Sequence, residues 1–372
     1  MSSHAEQSAF KLGFGLMRLP KNLDGTIDVP QVAAMADRFI AAGGTYFDTA
    51  YVYDEGRSEA AFKAAVADRY PRGAYTLATK LNVRVAKDEA DARRQVYTSL
   101  ERTGAGYFDY YLLHAIQRGN YEDYERYHLW DYLAELKAKG LARHIGFSFH
   151  ADPALLETLL AAHPEVDFVQ LQLNYADWDN PGVAARRNWE ICRAHGKGVT
   201  IMEPVKGGIL ADPIPAVKAV FDRTGSGLSY AGWAIRYAAS LEGIITVLSG
   251  MSSLAQMEDN LSYMKAFRPL DEAERQVIRA AQDALDADQS IPCTACHYCT
   301  EGCPMNIPIP EIFAVANRSG GSPRFRTVRE YNIVTQDRGR ASDCVQCGQC
   351  EAACPQHLSI IELLEHCRSL EE

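Results

Sequence analysis

The sequence predicts an α/β protein in two parts. A (β/α)8 TIM barrel is expected over residues 1–285, followed by a small, mainly helical, cysteine-rich domain over 286–372. Three observations carry this. Short apolar runs alternate with amphipathic segments, which calls for a parallel sheet with helical crossovers. Eight such units in about 250 residues match the size of a barrel. Beyond them, eight of the ten cysteines fall between Cys293 and Cys354.

The expected strands are Gly13 to Leu16, Tyr46 to Asp48, Tyr75 to Thr79, Phe108 to Leu113, His144 to Phe149, Phe168 to Leu173, Val199 to Met202 and Ile244 to Leu248. Apolar residues at helical spacing predict helices over Val32 to Ala42, Glu59 to Asp68, Glu89 to Glu101, Leu129 to Lys139, Pro153 to Ala162, Ala184 to His195 and Ala231 to Ala239. A doubly wound sheet would need a glycine-rich turn after its first strand. Gly13-Phe14-Gly15-Leu16-Met17-Arg18 lacks the third glycine, so a barrel is the better reading.

Barrels place their chemistry at the C-terminal ends of strands. Asp48, Lys80, His114, Ser148, Gln170 and Glu203 all fall there. One such residue alone would be read as surface or satisfied core. Several in register point to a site.

The cysteines follow one spacing twice, Cys-x-x-Cys-x-x-Cys-x-x-x-Cys-Pro. The first copy is Cys293, Cys296, Cys299 and Cys303; the second is Cys344, Cys347, Cys350 and Cys354. This is the ferredoxin run that binds [4Fe–4S] clusters, in which the fourth cysteine of each run crosses to the other cluster. Crossing assigns Cys293, Cys296, Cys299 and Cys354 to one cluster and Cys344, Cys347, Cys350 and Cys303 to the other. Zinc sites usually pair Cys-x-x-Cys units or combine Cys with His, and the third cysteine followed by Cys-Pro departs from that pattern. Disulfides call for a secreted chain, whereas Met1 to Lys11 has no apolar core segment. The linker between the runs reads as a helix from Ile307 to Asn317 and a loop at Ser319 to Pro323, and Ile360, Ile361, Leu363 and Leu364 give an apolar stripe after Pro355. This segment resembles the helical two-cluster ferredoxin modules fused to redox enzymes. Cys192 and Cys367, outside both runs, read as small hydrophobes.

Hydrophobic content of 47% is ordinary for a globular protein. A formal charge of −10 argues against nucleic acid as a partner, and no apolar run reaches the length of a membrane span. Thiolate-rich sites predict a reducing, cytoplasmic setting.

Phe47-Asp48-Thr49-Ala50-Tyr51-Val52-Tyr53, followed by Gly56-Arg57-Ser58-Glu59, resembles the aldo-keto reductases. So do Thr79-Lys80, Leu112-Leu113-His114, Ile145-Gly146-Phe147-Ser148 and Glu203-Pro204-Val205-Lys206-Gly207-Gly208. With the two cysteine runs, the chain resembles the iron–sulfur-containing branch of that family. The resemblance implies a catalytic tetrad of Asp48, Tyr53, Lys80 and His114. Tyrosine is too weak an acid by itself, so Lys80 would lower its pKa, Asp48 would anchor Lys80, and His114 would orient the substrate oxygen.

The resemblance also implies a nicotinamide held by Ser148 and Gln170, with Phe149 replacing the family's Asn and Met202 standing where a stacking aromatic is common. Ser252, Ser253, Gln256 and Asn260 would hold ribose or phosphate. Gln256 stands where an arginine often clamps a 2′-phosphate, leaving NADP(H) and NAD(H) both open and a flavin compatible with the pocket. Glu203, Lys206 and Gly207 belong to the loop after the seventh strand, with Lys206 a candidate anion contact. The implied function is carbonyl–alcohol chemistry on a small-molecule substrate, with the clusters exchanging electrons with the site or with a ferredoxin- or flavodoxin-like partner. The alternatives are a nicotinamide-dependent reductase with structural clusters, and an electron-transfer or docking subunit with a non-catalytic barrel. The loops Gln117 to Tyr127 and Tyr175 to Arg187 suit a polar or aromatic ligand.

Overall fold

The structure, a computed structural model, describes residues 10–287, 290–319 and 324–371. It divides into two compact units. The first takes in the chain up to Val205 and again Leu210–Gln282; the second comprises Lys206–Ile209 and the chain from Asp283 onward. The division falls inside helix Glu272–Asp286.

The first unit is a closed barrel of eight parallel strands in sequence order: β1 (Leu12–Gly15), β2 (Tyr46–Asp48), β3 (Thr76–Leu81), β4 (Phe108–Ile116), β5 (Ala142–Phe149), β6 (Phe168–Gln172), β7 (Gly198–Met202) and β8 (Ile244–Ser249). Each lies within three residues of its expected position. The outer helices include Val29–Ala41, Glu89–Thr103, Leu129–Ala138, Pro153–Ala162, Ala185–Ala194 and Tyr230–Ala239. Asp28, Asp88, Asp152 and Ser229 cap four of them by accepting a backbone N–H. The helix expected over Glu59 to Asp68 becomes Arg57–Phe62 followed by a π turn, Lys63–Ala67. Helices Tyr121–Arg126, Pro215–Asp222, Leu254–Met264 and Glu272–Asp286 were not anticipated; the first lies within the expected loop Gln117 to Tyr127.

Strand side chains alternate between two environments. Phe47, Leu77, Tyr111, Leu113, Ile145, Phe147, Val169, Leu171, Val199 and Ile201 face outward into the core shared with the helices. Tyr46, Ala78, Leu112 and Phe168 form a separate inner cluster with Tyr110. Tyr46 and Tyr110 meet with ring centroids 5.0 Å apart, and Tyr110 meets Phe168 edge-on at the same 5.0 Å, which plugs the lower barrel. The next inward positions upward are Asp48, Lys80, His114, Ser148 and Gln170.

The second unit has its own core, built from Ile307, Ile309, Ile312, Phe313, Tyr331, Ile360 and Leu364 together with cysteines. Its helices include Ile309–Ser319, Arg324–Val334 and Ile360–Cys367. Ser319 still belongs to its helix, while 320–323 of the expected loop lie outside the described residues. The two cysteine runs repeat each other in backbone geometry. Ala295 and His297 in the first run, and Gln346 and Gly348 in the second, all take left-handed φ at matching positions. Asn306 and His357 do the same, each three residues beyond its fourth cysteine.

Gly146 illustrates how tightly the barrel wall closes. A Cβ there would lie 2.3 Å from the backbone oxygen of Phe168 and 2.8 Å from its ring. Gly146→Ala is therefore expected to cost about 1–3 kcal/mol, the usual range for overpacking, seen as a lowered Tm in thermal denaturation. An unchanged Tm would show that β5 and β6 can separate freely.

Candidate active site and thiol-lined cavities

At the upper end of the barrel, β2 and β3 bring Asp48 and Lys80 together. Lys80 Nζ donates to Asp48 Oδ1 at 2.5 Å, to the Thr49 carbonyl at 2.7 Å and to Tyr53 Oη at 3.4 Å. The ammonium also lies 4.9 Å from the centre of the Tyr53 ring. Tyr53 follows β2 in a tight turn whose next residues, Asp54 and Glu55, have φ of 50° and 59°. Asp54 anchors this turn by accepting from Lys21 Nζ at 2.8 Å and Arg57 Nη2 at 3.0 Å. His114, near the end of β4, meets Tyr53 edge-on with centroids 5.5 Å apart. The four residues of the expected tetrad thus converge.

Burial dominates the electrostatics here. It pushes Asp48 up and Lys80 down, each toward its neutral form, while their mutual attraction opposes both shifts. Burial, reinforced by the charges of Asp48 and Glu203, holds Tyr53 well above the usual phenol range. This reverses the expectation that Lys80 lowers the Tyr53 pKa: the ammonium sits closer to Asp48 and the Thr49 carbonyl than to the phenol. Tyr53 is therefore a neutral phenol at pH 7. Burial, with the nearby Lys80 charge adding to it, also drives His114 well below its usual range, leaving a neutral imidazole.

Asn82 was not anticipated. Its Oδ1 accepts the Arg84 N–H at 2.9 Å, which turns Nδ2 toward His114 Nδ1 at 3.4 Å. An amide NH2 only donates, so this contact favours a His114 tautomer with its proton on Nε2. Tyr124 Oη, from the unanticipated helix, donates to the His114 carbonyl at 2.5 Å. Buried Glu59 accepts at 2.7 Å from Oγ1 of Thr79, the residue before Lys80, and pairs with Arg102 at 3.4 Å. Asn82, two positions after Lys80 at the same strand end, could have been found by that register.

Around the rim, Ser148 Oγ accepts the Ala115 N–H at 2.7 Å, and Gln170 Nε2 donates to Met202 Sδ at 3.6 Å. Ser148 and Gln170 are neighbours across β5 and β6. Phe149 instead faces the outer core, edge-on to Phe147. Asn174 Nδ2 donates to the Glu203 carbonyl at 3.0 Å, holding the end of β7. Ser253 caps helix Leu254–Met264, and Gln256 Oε1 accepts the Ser252 N–H at 2.7 Å. Asn260 is buried and committed to Ser249 Oγ at 2.7 Å and Tyr263 Oη at 2.5 Å, so it braces the helix against β8.

Lys206 and Gly207 belong to the second unit. Lys206 Nζ donates to Gln356 Oε1 at 2.8 Å, and a Cβ on Gly207 would lie 2.6 Å from Thr294 Cβ. The ammonium expected as an anion contact is thus hydrogen-bonded to a buried amide. Also in the second unit, Cys293, Cys296, Cys299 and Cys354 line one cavity, and Cys303, Cys344, Cys347 and Cys350 line another. Burial raises Cys293 to about 11 and Cys299 to about 12, and the charge of Cys354 adds to both shifts. Four thiols per cavity and apolar walls suit an iron–sulfur cluster. Cys192 and Cys367 are buried outside both cavities.

A parallel barrel with an Asp–Lys–Tyr–His cluster at its upper end, in a chain that also carries two four-thiol cavities, defines a redox enzyme. The aldo/keto reductase family profile matches residues 11–283, and a 4Fe-4S dicluster domain profile matches 292–359. The chain belongs to the aldo/keto reductase family and carries a C-terminal 4Fe-4S dicluster domain; it is an oxidoreductase. A curated aldo-keto reductase of Mycolicibacterium vanbaalenii is 37% identical over 118 residues, which span 30% of this chain and 38% of that relative. Among solved structures, the holo form of an aldo-keto reductase from Bacillus halodurans aligns with TM-score 0.58 at 24% identity, covering 73% of this chain and 91% of that one. An aldo/keto reductase from Klebsiella pneumoniae, in complex with NADP and acetate, aligns with TM-score 0.59 at 21% identity over the same shares. These two likenesses establish the barrel fold. Among the described residues no helix is long and apolar enough to cross a membrane.

Asp48→Asn leaves the Lys80 ammonium buried without its counter-charge. The expected cost is roughly 3–5 kcal/mol, as for a buried pair broken on one side. Urea denaturation of the holoprotein checks this, and a loss below about 1 kcal/mol would mean that water reaches the pair.

Proposed function

We propose that the barrel interconverts a carbonyl and an alcohol by hydride transfer, and that two [4Fe–4S] clusters exchange electrons with that site or with a ferredoxin- or flavodoxin-like partner. The reading rests above all on Lys80, whose ammonium reaches both Asp48 Oδ1 at 2.5 Å and Tyr53 Oη at 3.4 Å. A nicotinamide held by Ser148 and Gln170 would supply the hydride for the carbonyl carbon. Tyr53 Oη gives its proton to the carbonyl oxygen, so hydride plus proton yields the alcohol. The phenolate left behind is stabilised by the Lys80 ammonium until solvent returns the proton. His114, neutral and donating from Nε2, orients the oxygen and stabilises its developing charge.

Ser148 and Gln170 are the candidates to hold the nicotinamide amide. Gln170 Oε1 is buried and has no hydrogen-bond partner among the described residues, which suits an incoming N–H donor. Around the helix at Leu254, Ser252, Ser253 and Gln256 offer neutral groups, so NAD(H) and NADP(H) both fit, and a flavin is compatible with the same position. The NADP complex of the Klebsiella pneumoniae relative supports a nicotinamide. For the clusters, the crossed sets proposed from spacing coincide with the residues that line each cavity.

Tyr53→Phe is expected to lower kcat for carbonyl reduction by at least about 100-fold, the usual weight of a general acid, while dithionite still reduces the clusters. Surviving turnover would remove Tyr53 from its role. Because Tyr53 lies well above its usual range and His114 well below, neither changes protonation near neutrality. Neither Tyr53 nor His114 is therefore expected to put an inflection in the reduction rate between about pH 6.5 and about pH 9; an inflection there that Lys80→Arg removes would report Lys80, which burial lowers. For the clusters, Cys354→Ala and Cys296→Ala are expected to abolish the same EPR signal, and Cys303→Ala and Cys347→Ala the other. If Cys303 grouped with Cys296 instead, the crossed assignment would fall.

A further inference from the structure

The two thiol-lined cavities differ in how a cluster's charge can be offset. In the cavity of Cys303, Cys344, Cys347 and Cys350, Cys347 is exposed, Cys303 and Cys344 are half-buried and Cys350 is buried; Cys293 and Cys296 of the other cavity are half-buried. In the other cavity, Cys299 and Cys354 are buried, and Thr294 and Gln356 form part of its wall. Behind that wall sits Lys206, itself only 5% exposed, donating from Nζ to Gln356 Oε1 at 2.8 Å. Gly207, at φ 65°, packs directly on Thr294. A buried ammonium thus lies one amide side chain away from the first cavity, although neither wall itself includes a Lys or Arg among the described residues.

We propose that Lys206 sets the reduction potential of the cluster held by Cys293, Cys296, Cys299 and Cys354, keeping that buried cluster reducible. The proposal rests on the cluster reading of the two cavities. Reduction adds one electron, hence one negative charge, and neither makes nor breaks a bond. Water can offset that charge at the exposed Cys347, whereas a cluster on four cysteines of which none is exposed relies more on fixed charges and dipoles. Lys206 supplies a fixed cation. The opposing charge on this side is Glu311, which bears on Cys293 and is itself paired with Arg338 at 3.7 Å and faces His297 at 4.0 Å. Gln356, between the ammonium and the cavity, relays its polarity through an oriented amide.

The test is an EPR-monitored redox titration of the anaerobically purified holoprotein, its two signals assigned with Cys296→Ser and Cys347→Ser. In Lys206→Met, the reduced-to-oxidised ratio of the Cys296 cluster at fixed poise should fall at least tenfold, about 59 mV for a one-electron couple. The Cys347 cluster should stay within about twofold, under roughly 20 mV. Lys206→Gln keeps a donor for Gln356 without the charge and should fall equally, whereas Lys206→Arg should match the wild type. Equal movement of both clusters, no movement with iron intact, or a wild-type potential in Lys206→Gln would each overturn the assignment. Iron loss in both neutral variants with Lys206→Arg intact would make Lys206 a structural post instead. A holoprotein lacking two separable cubane signals would defeat the cluster reading itself, a different outcome from an absent shift.

Discussion

Strict alternation of side chains along closed, parallel strands is the constraint from which the first unit follows. Once Tyr46, Tyr110 and Phe168 fill the lower barrel, the next inward positions are Asp48, Leu112 and Gln170. Lys80, in register with Leu112, then has nowhere to place its ammonium except beside Asp48. A one-residue slip of β2 or β3 would send either charge into the apolar outer core, at a cost that no helix could offset. Barrel closure and the assembly of the site are therefore one event.

The same burial decides the protonation states. An exposed tyrosine beside a lysine would be acidified. Here the phenol is desolvated, two carboxylates oppose its ionisation, and the ammonium is directed mainly to Asp48 and a backbone carbonyl. The outcome is a neutral donor next to a cation that gains purpose only when charge develops on oxygen. Asn82 and Tyr124 complete the arrangement by holding the imidazole from its far side and its backbone.

The second unit obeys another logic. Its repeated left-handed positions, Ala295 with Gln346, His297 with Gly348 and Asn306 with His357, bend two runs into the same loop. Only glycine adopts such φ without cost, so five non-glycine residues there mark loops whose shape is maintained against local preference. Iron–sulfur bonding is a natural source of that compensation. In sequence the two runs look equivalent; what surrounds them is not, since one set includes the exposed Cys347 and the other has a buried lysine behind its wall.

By itself the sequence determined the elements whose signal is local or periodic. The eight strands were legible because apolar runs recur with helical segments between them, and Asp48, Lys80 and His114 because each falls at a strand end; Tyr53, in the turn after β2, came only from the family resemblance. The cysteine sets were legible because their spacing leaves few geometries. Several helices went unseen, including Tyr121–Arg126, whose six residues offer too short a period to read. Partnership was also invisible: Asn82 at His114, Asn260 on Ser249, and Lys206 on Gln356, 150 residues away. Tertiary structure alone decided these, and with them the direction of the Tyr53 shift. Hydrogen-bond partners and desolvation depend on what the folded chain brings close, which residue type and spacing do not encode.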